Sequence, residues 1–232
     1  MKSKFCRNKL FLVGMIIFLM LFISACSKSD DLLPIIPPAS NKYLTYVADP
    51  VMGTSELLRG DDTWTDMVIT GRVMFTPGVS YVSFGRVSDG GYFYQLVVSR
   101  AGMYIYKVAS GGTDTLGTVT ITPALLNNQW YTVRFVISGT QFTGYVDGVK
   151  YTDYTDSSGT GETQGNIFLQ SDDDGTTAGR HACFDDIVVT NGDGSVTYIS
   201  ENFQSYPATA NWTPTGGWTP EVARGTFAIV RE

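Results

Sequence analysis

The stretch WYTVRFVIS at residues 130–138, followed by FTGYVDGVKY at 142–151, constrains the fold more than any other part of the chain. Tyr131, Val133, Phe135 and Ile137 recur at every second position, with Thr132 and Arg134 between them. A period of two puts the apolar set on one side of an extended segment and predicts a half-buried strand. Asp147-Gly148 then supplies two residues that tolerate positive φ, which predicts a tight hairpin between FTGYV and VKY. The same pattern runs from Asp66 onward. MVITGRVMF (67–75), YVSFGRV (81–87), YFYQLVVS (92–99), MYIYKVA (103–109), NIFLQS (166–171) and FDDIVVTN (184–191) are short runs rich in Val, Ile, Phe, Tyr and Thr, broken by Gly, Asp, Asn and Ser. No long helical pattern intervenes, so the expectation is an all-β chain whose short strands have the spacing of a two-sheet sandwich.

The start of the chain follows a different rule. Lys2, Lys4, Arg7 and Lys9 precede an apolar run from Leu10 to Ile23, which ends in Ile23-Ser24-Ala25-Cys26. A basic start, an apolar stretch and small residues make a secretory signal, and a membrane span needs ~20 apolar residues. The Cys directly after Ala25 resembles a bacterial lipoprotein signal. That resemblance implies cleavage after residue 25, diacylation of Cys26, loss of Cys6 with the signal, and attachment to a membrane the chain does not cross. Asp30-Asp31, close behind Cys26, resembles a surface-export signal of one large group of Gram-negative bacteria; the alternative is a solvated linker. The resemblance implies an outer-membrane lipoprotein exposed at the cell surface. Pro34, Pro37 and Pro38 read as a stiff, extended spacer. The expected organisation is a signal peptide over 1–25, a lipidated linker over 26–42 and one domain over 43–232.

Removal of 1–25 takes four of the 16 basic residues and no acidic one, leaving 12 against 22 and a net charge of −10. A chain this acidic is not a nucleic-acid binder. Cys183 is then the only thiol, so no internal disulfide forms and stability must come from the core. About 190 residues suffice for one sandwich with a sizeable interior.

LLRGDDTWTDMVITGRV, SFGRVSDGGYFYQLVV, NNQWYTVRFVISGTQFTGYVDG and ACFDDIVVT, in that order, resemble successive strands of concanavalin A-like jelly-roll domains, in particular laminin-G-like modules and the domain of proposed keto-disaccharide hydrolases. The resemblance implies a jelly-roll of two antiparallel sheets. In such domains the usual first segment carries a Phe, a Trp, a Gly-Gly-Trp-like turn and a Gly before an apolar strand. Here those residues are Phe203, Trp212, Gly216-Gly217-Trp218, Gly225 and TFAIV, and they follow FDDIVVT. The order reads as a circular permutation, because first and last strands of a sandwich commonly lie together and can be joined. The rival reading is a truncated second copy beginning at 201.

Candidate chemistry is sparse. Retaining jelly-roll glycosidases carry Glu-x-Asp-x-x-Glu, since two carboxylates ~5 Å apart are required; no Glu here has an Asp two positions on. Keto-disaccharide hydrolase relatives tend to show Gly-Tyr-Glu-x-Gln where this chain has Gly91-Tyr92-Phe93-Tyr94-Gln95, so Phe93 stands in place of the acid. The reading favoured is a non-catalytic surface lipoprotein that binds a polysaccharide or oligosaccharide. The alternatives are a glycoside-active enzyme of keto-disaccharide hydrolase type and a structural or protein-binding laminin-G-like module. The carbohydrate-binding candidates are Arg86 and Gln95 as hydrogen-bonding groups, with Tyr92, Tyr94, Tyr104 and Tyr106 as stacking surfaces if they form one strip across adjacent strands. Asp172, Asp174 and Asp186, from two dense carboxylate clusters, are candidate oxygen ligands for a structural Ca²⁺.

Overall fold

A computed structural model describes residues 42–47, 55–88, 92–109, 112–159, 161–173, 181–203, 212–214 and 226–231. The leader, Cys26 and its linker up to Asn41, Asp174 and Trp218 lie outside the described residues. Among the described residues there are fifteen strands: β1 Lys42–Val47, β2 Ser55–Arg59, β3 Met67–Phe75, β4 Val79–Val87, β5 Phe93–Val98, β6 Gly102–Ala109, β7 Gly112–Thr120, β8 Trp130–Ser138, β9 Gln141–Val146, β10 Val149–Thr155, β11 Asn166–Asp173, β12 His181–Asn191, β13 Thr197–Glu201, β14 Thr213–Pro214 and β15 Thr226–Arg231. They make two antiparallel sheets. One runs β10-β9-β8-β3-β12-β1-β15, with β13 also paired to β12; the other runs β14-β2-β11-β4-β5-β6-β7.

The alternation expected of β8 is present: Tyr131, Val133, Phe135 and Ile137 are buried, while Thr132 and Arg134 are exposed. They meet Met67, Ile69, Val73 and Phe75 of β3 and Phe142 and Val146 of β9 in the core, opposite Val82, Phe84, Leu96, Val98, Met103, Ile105 and Leu169 of the second sheet. Each large apolar side chain so buried contributes roughly 1.5–3 kcal/mol. Asp147 and Gly148 have φ of 47° and 78°, the positive pair a tight hairpin requires. Asp147 also accepts the Thr132 amide at 2.7 Å, which fixes the turn against β8.

The C-terminal segment completes this sandwich and is not the beginning of a second one. β15 pairs with β1 along its whole length, β14 pairs with β2, and Phe203 and Trp212 belong to the buried core. Trp212 packs beside the segment leading to Trp64: Arg59 of β2 lies over its ring at 5.4 Å and is held by Glu201 at 3.3 Å. These pairings are compatible with the circularly permuted order. Trp64 stacks on Tyr198 at 4.4 Å, and Asp66 accepts the Gly139 amide at 2.7 Å, so the Trp-x-Asp stretch ties β13 and the β8–β9 turn to the start of β3.

Candidate functional site

Successive residues of β5 point to opposite sides of their sheet. Tyr94, Leu96 and Val98 face the core, while Phe93, Gln95 and Val97 face away from it. Register extends both sets across the neighbours. Tyr94 lies opposite Arg86 and Lys107, and Gln95 lies opposite Gly85 and Tyr106. The six carbohydrate-binding candidates are therefore divided between two environments, and the expected single strip of tyrosines is not formed.

The inward set is a buried polar cluster closing one end of the core. Tyr94 donates its hydroxyl to Asp156 at 2.7 Å; Lys107 donates to the same oxygen at 2.8 Å and to Ser158 at 2.6 Å. Arg86 is only 1 % exposed and donates to the carbonyls of Thr65 at 3.3 Å and Glu162 at 2.6 Å. Its guanidinium and the Lys107 ammonium both lie over the Tyr94 ring, at 5.7 and 5.8 Å. Burial alone would raise the Asp156 carboxyl, but the hydrogen bonds from Lys107, Tyr94 and Ser158 outweigh it and hold the group well below the usual carboxylate range. Burial, then the bond to Asp156, pushes the Tyr94 phenol up, and burial lowers Arg86. These groups satisfy one another and pin the segment after β10 to the second sheet. Arg86 and Tyr94 are thus corrected from sugar-facing candidates to interior groups. Arg86 and Gln95 are not a cross-strand pair, because they lie on opposite faces. Tyr92 precedes β5, and its carbonyl accepts the Ser88 amide at 2.9 Å, closing the β4–β5 connection.

The outward set is the candidate site. Ser83 of β4, Gln95 of β5 and Gln170 of β11 form a polar trio, with the Ser83 hydroxyl 3.0 Å from the Gln170 side-chain oxygen and 3.5 Å from that of Gln95. Phe93, Val97 and Phe168 surround it; they are buried yet stand apart from the core cluster. Phe168 meets Phe93 edge to face at 5.4 Å, and its ring occupies the space where a Cβ on Gly85 would lie. Tyr104 and Tyr106 of β6 complete the face, their rings parallel within 7° and 6.0 Å apart. Tyr104 lies down over Gly102, where an added Cβ would come within 2.8 Å of its hydroxyl oxygen. The trio is shielded from bulk water, at 1 %, 8 % and 7 % exposed for Ser83, Gln95 and Gln170, whereas Tyr81, Tyr104 and Tyr106 are half-exposed. Such a surface offers aromatic faces beside amide and hydroxyl groups. It can stack on a ring and exchange neutral hydrogen bonds with hydroxyls.

Ser83, Phe168 and Gln170 were not singled out in the sequence. Period-two alternation could have grouped Phe168 with Gln170, but only the pairing of β11 with β4 brings them beside Gln95. Asp156 and Lys107 carried no sequence signal, being separated by 49 residues.

Of the expected calcium ligands, Asp172 and Asp186 are described and stand in different sheets. Asp172 is on β11, opposite Tyr81, and Asp186 sits at an irregularity of β12 in the other sheet. Arg72 lies 3.7 Å from Asp185 and 3.6 Å from Asp186, so a side-chain cation already stands against that acidic pair. Among the described residues no three acidic, His or Cys side chains converge on a common point.

Among solved structures, the chain is similar to the carbohydrate binding module CBM66 from Bacillus subtilis, with 16 % identity over 60 % of this chain and 83 % of that one and a TM-score of 0.49. It is also similar to a Caenorhabditis elegans galectin, with 11 % identity, 63 % and 96 % coverage and a TM-score of 0.42. A Bacteroides ovatus mixed linkage glucan GH16 protein in complex with a product gives 11 % identity, 59 % and 79 % coverage and a TM-score of 0.44. No curated protein matches in sequence. A family profile does match, over residues 55–200, more than half of the chain and including β2, β4–β7 and β11 of the sheet that carries the outward face, and by that match the chain belongs to the concanavalin A-like lectin/glucanases superfamily.

Proposed function

We propose that the chain is a glycan-binding lipoprotein, anchored through Cys26 to the outer membrane, whose outward face on the sheet of β2, β4–β7 and β11 captures a polysaccharide or oligosaccharide without cleaving it. The observation that carries this reading is the composition of that face: Tyr104 and Tyr106 lie in parallel beside a Ser83-Gln95-Gln170 trio. The cations placed over aromatic rings among the described residues are elsewhere, at Trp212, Trp130, Tyr145 and Tyr94. The tyrosine faces of β6 are in this respect available to a sugar ring. Phe93, packed against Phe168, stands where hydrolase relatives place an acid, which supports binding without turnover.

The test is affinity electrophoresis of the full-length chain against a panel of polysaccharides, paired with an assay of released sugar from the same panel. Retardation by at least one polysaccharide, weakened at least tenfold in Tyr104→Ala/Tyr106→Ala and unaccompanied by sugar release, is the expected result. Sugar release by highly purified protein would reject the non-catalytic reading. Undiminished retardation of the double variant would reject this face. The anchoring claim is tested separately by Cys26→Ala, which should move the protein from the membrane to the soluble fraction; retained acylation would contradict it.

A further inference from the structure

The outward face carries no cation at any described strand position. From edge to edge its register positions are Glu56 and Leu58 on β2; Asn166, Phe168, Gln170 and Asp172 on β11; Tyr81, Ser83, Gly85 and Val87 on β4; Phe93, Gln95 and Val97 on β5; and Gly102, Tyr104, Tyr106 and Val108 on β6. On β7 it continues with Thr115 opposite Tyr106 and Thr118 opposite Tyr104. The only formal charges in this set are negative, Glu56 opposite Gln170 and Asp172 opposite Tyr81. The basic residues of the same sheet are committed on its other side: Arg86 to backbone carbonyls, Lys107 to Asp156 and Ser158, and Arg59 to Glu201.

From this distribution we infer that the site selects uncharged glycans and rejects uronate- or sulfate-bearing ones, a selectivity that rests on the glycan-binding reading above. A carboxylate or sulfate brought onto the Ser83-Gln95-Gln170 floor exchanges its hydration for a shielded surface whose described strand positions carry no countercharge, and that exchange is unfavourable. A chain net charge of −6 opposes a polyanion further. A neutral pyranose loses little hydration on stacking, and its hydroxyls are matched by amide and hydroxyl groups that both donate and accept. Discrimination therefore comes from what the face lacks as much as from what it offers.

Pairs of polysaccharides that share a backbone and differ in charge test the inference: polygalacturonate against its fully methyl-esterified form, and carboxymethyl against hydroxyethyl cellulose, together with neutral glucans, mannans and xylans. The full-length chain in detergent is compared with Gln95→Ala and with Thr115→Lys, which adds a cation at an exposed position beside Tyr106. The expected result is retardation by neutral polymers at least tenfold stronger than by acidic ones, lost in Gln95→Ala and little altered by salt. Thr115→Lys should strengthen binding of the acidic member of a pair several-fold. Acidic polymers bound as well as neutral ones, with loss in Gln95→Ala, would overturn the selectivity and leave the glycan-binding reading standing. Retardation by no polymer, or retardation indifferent to Gln95→Ala, would overturn both.

Discussion

Tyr94 and Gln95 are neighbours in β5, yet they belong to different economies of the molecule. Tyr94 turns inward, gives its hydroxyl to Asp156, and sits beneath Arg86 and Lys107 in a cluster whose groups satisfy one another. Gln95 turns outward and joins Ser83 and Gln170 beside two parallel tyrosines. Both faces are polar and aromatic, and both are largely shielded, so composition does not separate them. Charge does. The inward side holds its cations against an anion, carbonyls and a ring, as buried charge must be held, while the outward side carries none at its described strand positions. A polar cluster whose charges meet partners inside the fold is a structural device; a neutral polar cluster beside half-exposed rings fits the hydroxyl contacts proposed for it.

If that contrast holds, damage to the inward side should appear as lost folding. The largest effect is expected from truncation after Asn191, which removes β13, β14, β15, Phe203 and Trp212. At roughly 1.5–3 kcal/mol for each large buried side chain, against a total stability of about 5–15 kcal/mol, the remainder should lack a cooperative melt. An unchanged melting temperature would restore the second-copy reading of the C-terminal segment.

Next in size is Asp156→Ala, which leaves Lys107 buried without its anion and should cost about 3–5 kcal/mol in denaturant unfolding. Its pH dependence has a definite sign. The folded-state carboxyl lies below its ordinary value of about 3.9, so its contribution is present above that value and is lost as pH falls through the folded one. The stability advantage of the native chain over Asp156→Asn should be full at neutral pH and should shrink below about pH 4. An advantage that grew on acidification would show that Asp156 is not the anion of the cluster.

A smaller effect, and one on binding alone, is expected from Gly102→Ala. The new Cβ would push the Tyr104 ring up from the sheet, at the far end of a flexible side chain, so glycan affinity should fall several-fold with little change in melting temperature. Equal affinity would mean that the recumbent tyrosine is not part of the binding surface.

Much of this architecture was legible before the structure. The runs at 67–75 and 130–138 became β3 and β8 with the same limits, and the Asp147-Gly148 hairpin was readable because two residues with positive φ leave few alternatives. β7 was missed: GTDTLGTVT is an edge strand with mostly exposed or half-buried side chains, so it carries neither an apolar run nor alternation. The proposed site was only partly readable in advance. Tyr104 and Tyr106 were named from their residue type and spacing, and Gln95 from the stretch that resembles hydrolase relatives. Arg86 and Tyr94 were placed with them because alternation within a strand says which residues share a face, and not which face meets the core. Only the pairing of β5 with β4 and β6, and the burial of Leu96 between them, decides that.

The measurement that bears most directly on the division is a paired comparison of adjacent substitutions, Tyr94→Phe and Gln95→Ala, scored for both melting temperature and retardation on a neutral polysaccharide that the native chain binds. Tyr94→Phe removes a buried hydrogen bond and should cost about 1–3 kcal/mol of stability while leaving affinity within twofold. Gln95→Ala should lower affinity at least tenfold while leaving the melting temperature within a few degrees. The reverse pattern, affinity lost in Tyr94→Phe and retained in Gln95→Ala, would contradict the account.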